Sequence, residues 1–264
     1  MKIRSMFTAI SIVMFLVNPL VSSAGVDPGK LGVIYNCAFP YTVKLDGKFN
    51  DWPKAVPWHK VPHDMGTQPA PDDKDASYEF ACLADEQFLY VAFKVYDDKK
   101  VVDEDTGCDV WKDDSVEIYI DGGNEKAGAY DGNDSQVTIG RDNVGGDPDN
   151  PKLGGCVGQL QGPNTKTKAF VVDTDYGWAV EAALPLETWG IKLSDGLVIG
   201  FNTHLNDDDD KGPRDHKLIW SAKDVADRSW TDPSVFGELK FVKVNLAVSP
   251  GGKLTTVWAS VKVR

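Results

Sequence analysis

An all-β fold, an antiparallel jelly-roll-like β-sandwich of about ten strands, is what this chain predicts, and three observations carry it. Short runs of β-branched and aromatic residues alternate apolar with polar side chains at period two. Clusters of Asp, Asn, Gly and Pro punctuate those runs as turns. Helical periodicity is almost absent until the tail, so strands must pack on strands.

The elements follow in order. Residues 45–47 end a short strand, and residues 53–76, rich in proline and aspartate, read as loop. Tyr78, Phe80 and Cys82 then alternate with Glu79 and Ala81, residues 84–87 turn the chain, and Leu89, Val91, Phe93 and Val95 alternate on the way back as a hairpin. Residues 108–121, CDVWKDDSVEIYID, are a polar turn running into a strand. Val116, Ile118 and Ile120 face a core there, while Ser115, Glu117, Tyr119 and Asp121 make a polar face at whose edge Trp111 stands. A ring beside hydrogen-bonding groups suits a flat, hydroxylated ligand such as a sugar.

Residues 122–162 hold eleven of the 25 glycines, with many Asp and Asn, interrupted by one strand at 136–141. Asp121, Asn124, Asp131 and Asp134 around it offer oxygen ligands for calcium, at a spacing that matches no EF-hand loop. Residues 167–173 and 177–184 form a second hairpin, and 185–189 make one helical turn closed by Gly190. In 198–206, Phe201, Thr203 and Leu205 share one face, and Asn202, His204 and Asn206 the other. Residues 207–210 read as a solvated acidic turn, and 217–221 and 236–244 as strands. Trp178, Trp189 and Trp220 lie in apolar surroundings and are assigned to the core. From residue 249 a helical apolar stripe of Leu254, Val257, Trp258 and Val261 sets the tail apart, against β-branched neighbours that disfavour helix.

At the other end, Lys2 and Arg4 precede an apolar run too short to span a bilayer, and Ser22 and Ala24 give a small-x-small cleavage pattern. The expected organisation is a signal peptide over 1–24, a sandwich over 25–245 and a short appendage over 246–264. The product is an exported protein, periplasmic or secreted, with no membrane span. Cleavage takes the net charge from −12 to −14, which excludes nucleic acid as a natural partner. Four cysteines in an exported chain favour two disulfides. Of the three pairings, Cys37 with Cys82 and Cys108 with Cys156 are preferred; the second ties the Trp111 turn to a glycine-rich loop.

Six segments occur in register: LDGKFNDW, LADEQFLYVAFKVYDD, WKDDSVEIYIDGGN, VEAALPLETWG, IGFNTHLNDDD and WSAKDVADRSWTDPSVFGELKF. Together, from residue 45 to 241, they resemble the family 9 carbohydrate-binding modules found attached to xylanases and other glycoside hydrolases. The resemblance implies a calcium-containing β-sandwich that clamps a xylan- or cellulose-type saccharide, or its ends, between two tryptophans. By motif these are Trp111 and Trp230, with Glu117 as the ligand carboxylate. His204 stands where a glutamine is frequent, and Asp227 where an asparagine is usual. The family's basic contacts are not matched: Val116 takes the lysine position and Thr138 the arginine position, with Arg141 one strand step beyond. A separate glycoside hydrolase is the implied partner.

Two other readings stay open. A glycoside hydrolase needs carboxyl groups about 5 to 9.5 Å apart. Glu117 and Asp121 are roughly 13 Å apart along one strand, whereas Glu117 and Asp227 are not separated by any such argument. A haem-binding sandwich of the electron-transfer type needs axial Met, His or Lys, for which the chain offers Met65, His59 and His63.

Overall fold

Alternation at period two gives thirteen strands in the computed structural model, which describes residues 26–102 and 107–245. The expected signal peptide and C-terminal appendage lie outside the described residues. The strands are β1 (Ile34–Phe39), β2 (His59–Val61), β3 (Gly66–Gln68), β4 (Ala76–Ala84), β5 (Phe88–Asp97), β6 (Ser115–Asp121), β7 (Asp134–Gly140), β8 (Leu153–Gly154), β9 (Lys168–Thr174), β10 (Gly177–Pro185), β11 (Val198–Asp207), β12 (His216–Ile219) and β13 (Gly237–Lys243). The described residues contain no α-helix, only short 3-10 turns, and no helix long and apolar enough to cross a membrane. The turn Leu186–Trp189 ends as expected on Gly190, whose φ of 67° is left-handed.

Hydrogen bonds link the strands along one path, β8-β7-β6-β11-β13-β1-β4-β5-β10-β9, with β2 branching off β4 and β12, carrying β3, branching off β11. The path curls until its halves face each other. Tyr78 Oη on β4 donates to the Thr203 carbonyl of β11 at 2.7 Å, and the Phe80 and Phe201 rings stand 6.0 Å apart across the gap. Trp220 packs edge-on against Phe80 at 5.5 Å, and such ring pairs add about 0.5–1.5 kcal/mol beyond burial. Trp178, Trp189 and Trp220 are buried in this core. The sheet is mixed rather than wholly antiparallel, because β1 runs parallel to both β13 and β4 and closes the two halves together.

A second apolar cluster lies outside the sandwich. The segment 41–58 folds over the outer face of β4, β5 and β10, where Trp52 meets Ala81, Leu83 and Ala92. Its anchor is Glu181 on β10. That buried carboxylate accepts from the backbone N–H groups of Asp46 and Gly47 and from Trp52 Nε1, which explains the LDGKFNDW motif. Residues 53–76, read as loop, contain the two short strands β2 and β3, which lack room for periodicity.

Of the two expected disulfides, one forms. Cys108 is joined to Cys156 across 48 residues, a closure worth roughly 4 kcal/mol of unfolded-state entropy. Cys37 and Cys82 are free buried thiols, so the expected Cys37–Cys82 bridge is corrected. They occupy matching places on adjacent parallel strands, one residue before the Ala38–Leu83 pair. No bond joins the two sulfurs, and Cys37 Sγ lies 4.0 Å from the Ala38 carbonyl oxygen instead. Burial pushes both thiols well above their ordinary value, which leaves them unreactive. Alkylation of native, non-reduced protein should label no cysteine, and alkylation after denaturation should label two; finding none after denaturation would restore the second bridge.

Candidate functional site

The polar face of β6 builds the site. Register places Glu117 opposite Thr138 on β7 and His204 on β11, and Tyr119 opposite Gln136 and Asn202. Polar as this face is, all seven β6 residues are buried. The 3-10 turn Gly107–Lys112, β12 and the loops at 155–157 and 221–235 cover it. They leave a cleft of about 420 Å³, lined among others by Trp111, Glu117, Gln136, Lys217, Asp227 and Trp230. That volume falls in the ~300–1,000 Å³ range of small-molecule sites.

Each wall has a local cause. Trp111 sits on its 3-10 turn, which buried Val110 anchors and the Cys108–Cys156 bond ties to the opposite wall; both cysteines also line the cleft. Trp230 projects from a loop that caps itself. Asp224 accepts from the backbone N–H groups of Arg228 and Ser229 and from Ser229 Oγ, which in turn accepts from Asn202 Nδ2 of β11. Tyr130 Oη donates to the Ser229 carbonyl. Held in this way, Trp230 is 49% exposed, a large apolar surface that the loop does not need for its own packing.

The floor is a buried charge network. Lys217 Nζ from β12 donates to Glu117 Oε2 and, at 2.8 Å, to Asn206 Oδ1. Tyr119 Oη donates to Glu117 Oε2 at 2.7 Å and Gln136 Nε2 to Oε1 at 2.9 Å. Asn202 Nδ2 donates to His204 Nε2, which leaves Nδ1 to carry the proton and donate to Glu117 at 3.2 Å. Burial alone would raise the Glu117 carboxyl, but the Lys217 charge and the hydrogen bonds hold it well below the usual carboxylate range. Burial, reinforced by the Lys217 charge, lowers His204, which stays neutral. Arg214, four residues past the acidic run 207–210, lies over the Trp111 ring at 5.0 Å and ion-pairs Asp227 at 2.5 Å.

The seven residues expected at the sugar site fare differently. Glu117, Asp227, Trp111 and Trp230 come together in one cleft. His204 lies fully buried behind Glu117 and orients it. Thr138 is buried beneath the floor, its Oγ1 without a partner; one strand step along the same face, Gln136 reaches the cleft instead. Arg141 does not line it. At the end of β7 its guanidinium turns to Asp97, Asp114 and Asp173, at 2.7, 3.3 and 3.0 Å, because three carboxylates outcompete a neutral cleft. The residues that sequence reasoning missed are Gln136, Arg214 and Lys217. A basic pair three apart beside an acidic run was the available signal for the last two.

Three of the expected calcium ligands accept hydrogen bonds from backbone N–H groups of their own loop. Asp121 accepts from the N–H groups of Glu125 and Lys126, Asp131 from that of Asn133, and Asp134 from that of Asp131. Asn124 Oδ1, Asn133 Oδ1 and Asp134 Oδ1 are buried without partners. A tighter cluster lies at Asp97, Asp114 and Asp207, all buried, with carboxylate oxygens within 4.8 Å of one another. Arg141 offsets one of the three charges, and Asp207 Oδ2 has no hydrogen-bond partner. Burial and neighbouring carboxylates push Asp207 up to about 10 and Asp114 to about 8. Three carboxyl groups crowded together in this way ionise only with a cation beside them, and their hard oxygens fit a calcium ion.

The Glu117–Lys217 pair makes a test of the floor. Lys217→Met strands a buried carboxylate and should cost about 3–5 kcal/mol, lowering Tm by roughly 10 °C or more. Glu117→Gln with Lys217→Met should recover most of that loss in thermal melts; equal losses in single and double variants would deny the coupling.

Comparison with known proteins follows the same geometry. The family model described as carbohydrate family 9 binding domain-like matches residues 45–244. An endo-1,4-beta-xylanase A of Thermotoga maritima is 36% identical over 176 residues, covering 65% of this chain and 14% of that enzyme. Its counterpart from Thermotoga neapolitana is 33% identical over 216 residues, covering 80% of this chain and 18% of the enzyme. The chain thus spans less than a fifth of these relatives. A family 9 carbohydrate-binding module from Caldicellulosiruptor kristjanssonii, solved with cellotriose, matches the fold with a TM-score of 0.64 at 23% identity, covering 82% of this chain and 98% of that one. The same module solved with glucose gives the same score and identity.

Proposed function

The chain belongs to the carbohydrate family 9 binding domain-like family, and from that premise we propose that it is an exported, non-catalytic protein holding a xylan- or cellulose-type saccharide between Trp111 and Trp230. The observation that carries this reading is their convergence on one cleft above the buried Glu117 network. Indole faces stack on the C–H faces of pyranose rings while polar edges fix their orientation. Glu117 and Asp227 accept from sugar hydroxyls, and Gln136, Arg214 and Lys217 donate to sugar oxygens. Arg214 and Lys217 thereby take over, from the β12 side of the cleft, the basic contacts that Val116 and Thr138 do not supply. The partner is a separate glycoside hydrolase acting on the same polysaccharide.

The electrostatics favour binding over hydrolysis. A general acid needs a raised carboxyl that keeps its proton near neutrality. Glu117 is instead held low and already hydrogen-bonded to Lys217, Tyr119 and Gln136. The haem candidates are also engaged: His59 accepts from Trp220 Nε1, and His63 contacts Asp73.

Trp111→Ala or Trp230→Ala should each weaken saccharide binding at least several-fold, since one stack contributes on the order of 1 kcal/mol, with melting temperature unchanged for the exposed Trp230. Arg214→Ala should weaken it as well. Titration calorimetry with cellotriose and xylotriose checks this, and unchanged affinity in both tryptophan variants would remove the clamp.

Calcium belongs to the same proposal, with Asp97, Asp114 and Asp207 as the residues that would hold it. Its contribution is charge compensation joining β5 to the ends of β6 and β11 beside the Trp111 turn. Excess chelator should lower Tm, because an ion bound only by the folded state stabilises it. Asp207→Asn should blunt that response, whereas Asp134→Ala should leave it intact. Superimposed melts with calcium and with chelator would refute an ion anywhere, and a response lost with Asp134→Ala alone would return the site to the residue 121–134 loop.

A further inference from the structure

The sandwich has a second outer face. On β4 and β5, Tyr78, Phe80, Phe93 and Val95 point into the core, so Ser77, Glu79, Lys94 and Tyr96 point outward. The segment 41–58 covers this face only at the end holding Ala81, Leu83 and Ala92. Lys94 marks the border, its ammonium 3.8 Å from the Trp58 ring centre. Beyond it the face is bare and forms a cleft of about 720 Å³ whose walls include Lys60, Lys74, Glu79, Tyr96, Asp98 and Tyr176.

The lining narrows the ligand. Tyr96 on β5 and Tyr176 in the β9–β10 turn place their ring centres 5.1 Å apart at 38°, a broad half-buried aromatic wall from two different elements. Burial and the Glu79 charge push the Tyr96 hydroxyl up, so it remains a donor. Lys60 is spent on Asp73 at 2.6 Å, leaving Lys74 against Glu79, Asp98 and Asp175. That excess of carboxylates repels acidic ligands. What fits is a neutral molecule with a flat C–H face and a fringe of hydroxyls, combining stacking on tyrosine with hydrogen bonds to carboxylates and an amine.

We propose that this cleft is a second saccharide-binding site, on the face of the sandwich opposite the Trp111–Trp230 cleft, taking neutral polysaccharide chains. Its choice of ligand rests on the saccharide reading above, while its residues are independent of that cleft. One molecule would then hold two chain segments at once, one on each sheet.

The test titrates cellotriose and xylotriose into wild type, a Trp111→Ala/Trp230→Ala variant and a Tyr96→Ala/Tyr176→Ala variant by calorimetry. Thermal melts check folding, and Tyr96→Phe/Tyr176→Phe keeps the aromatic wall. The expected result is two sites in wild type, loss of the tighter one in the tryptophan variant, and loss of the weaker one in the Tyr→Ala but not the Tyr→Phe variant. A single wild-type site abolished by the tryptophan substitutions would overturn the second site and leave the clamp standing. A single site abolished only by Tyr→Ala would support this face and overturn the clamp. No binding of either sugar by wild type would overturn both.

Discussion

A carboxylate buried under a cleft needs a cation, and the contact of Glu117 with Lys217 answers that need. Both side chains are almost completely buried, so neither charge can rely on water. Isolated burial of either would cost several kcal/mol. The pair draws β6 and β12 together across β11, and Asn206, Tyr119, Gln136 and His204 fill the remaining hydrogen-bond positions of the network. The cleft floor is rigid because each member is held by its neighbours, while Glu117, Gln136 and Lys217 still line the open cleft. A sugar meets acceptors and donors already aimed, with little ordering left to do on binding.

The same rule, that buried polar groups must be paired, orders the rest of the molecule. Glu181 pins the 41–58 segment, Asp224 pins the Trp230 loop, and Arg141 gathers Asp97, Asp114 and Asp173. Asp207 Oδ2 is one of the places among the described residues where the rule is left incomplete. Apolar packing supplies the bulk of the fold, but these carboxylates decide where each loop lies. The long connections can therefore be loops and still have definite positions.

The two sheets divide their labour by face. Inward side chains interlock across β4 and β11, and each outward face is partly roofed by a loop. On the β6 side the roof leaves a narrow cleft between indoles. On the β5 side it leaves a wider one beside tyrosines. A curled sheet with both outer faces only half covered has concave surface on two sides, whereas a fully roofed sandwich has none.

By itself the sequence determined the long alternating strands, the core tryptophans, the turn at Gly190, the family motifs and the identity of the two cleft tryptophans. All of these are local: a two-residue period, a capping glycine or a residue type within a short motif can be read without knowing what lies across from it. Tertiary structure decided what each polar residue faces. Whether Arg141 points at a cleft or at three aspartates depends on β5 and β9, far away in sequence. Whether Lys217 can serve Glu117 depends on β12 docking against β11, one hundred residues from β6. Cys37 and Cys82 are even in number, yet only the tertiary structure shows that they stay thiols. Charge pairing is a three-dimensional constraint, and the linear pattern records only that charges are present.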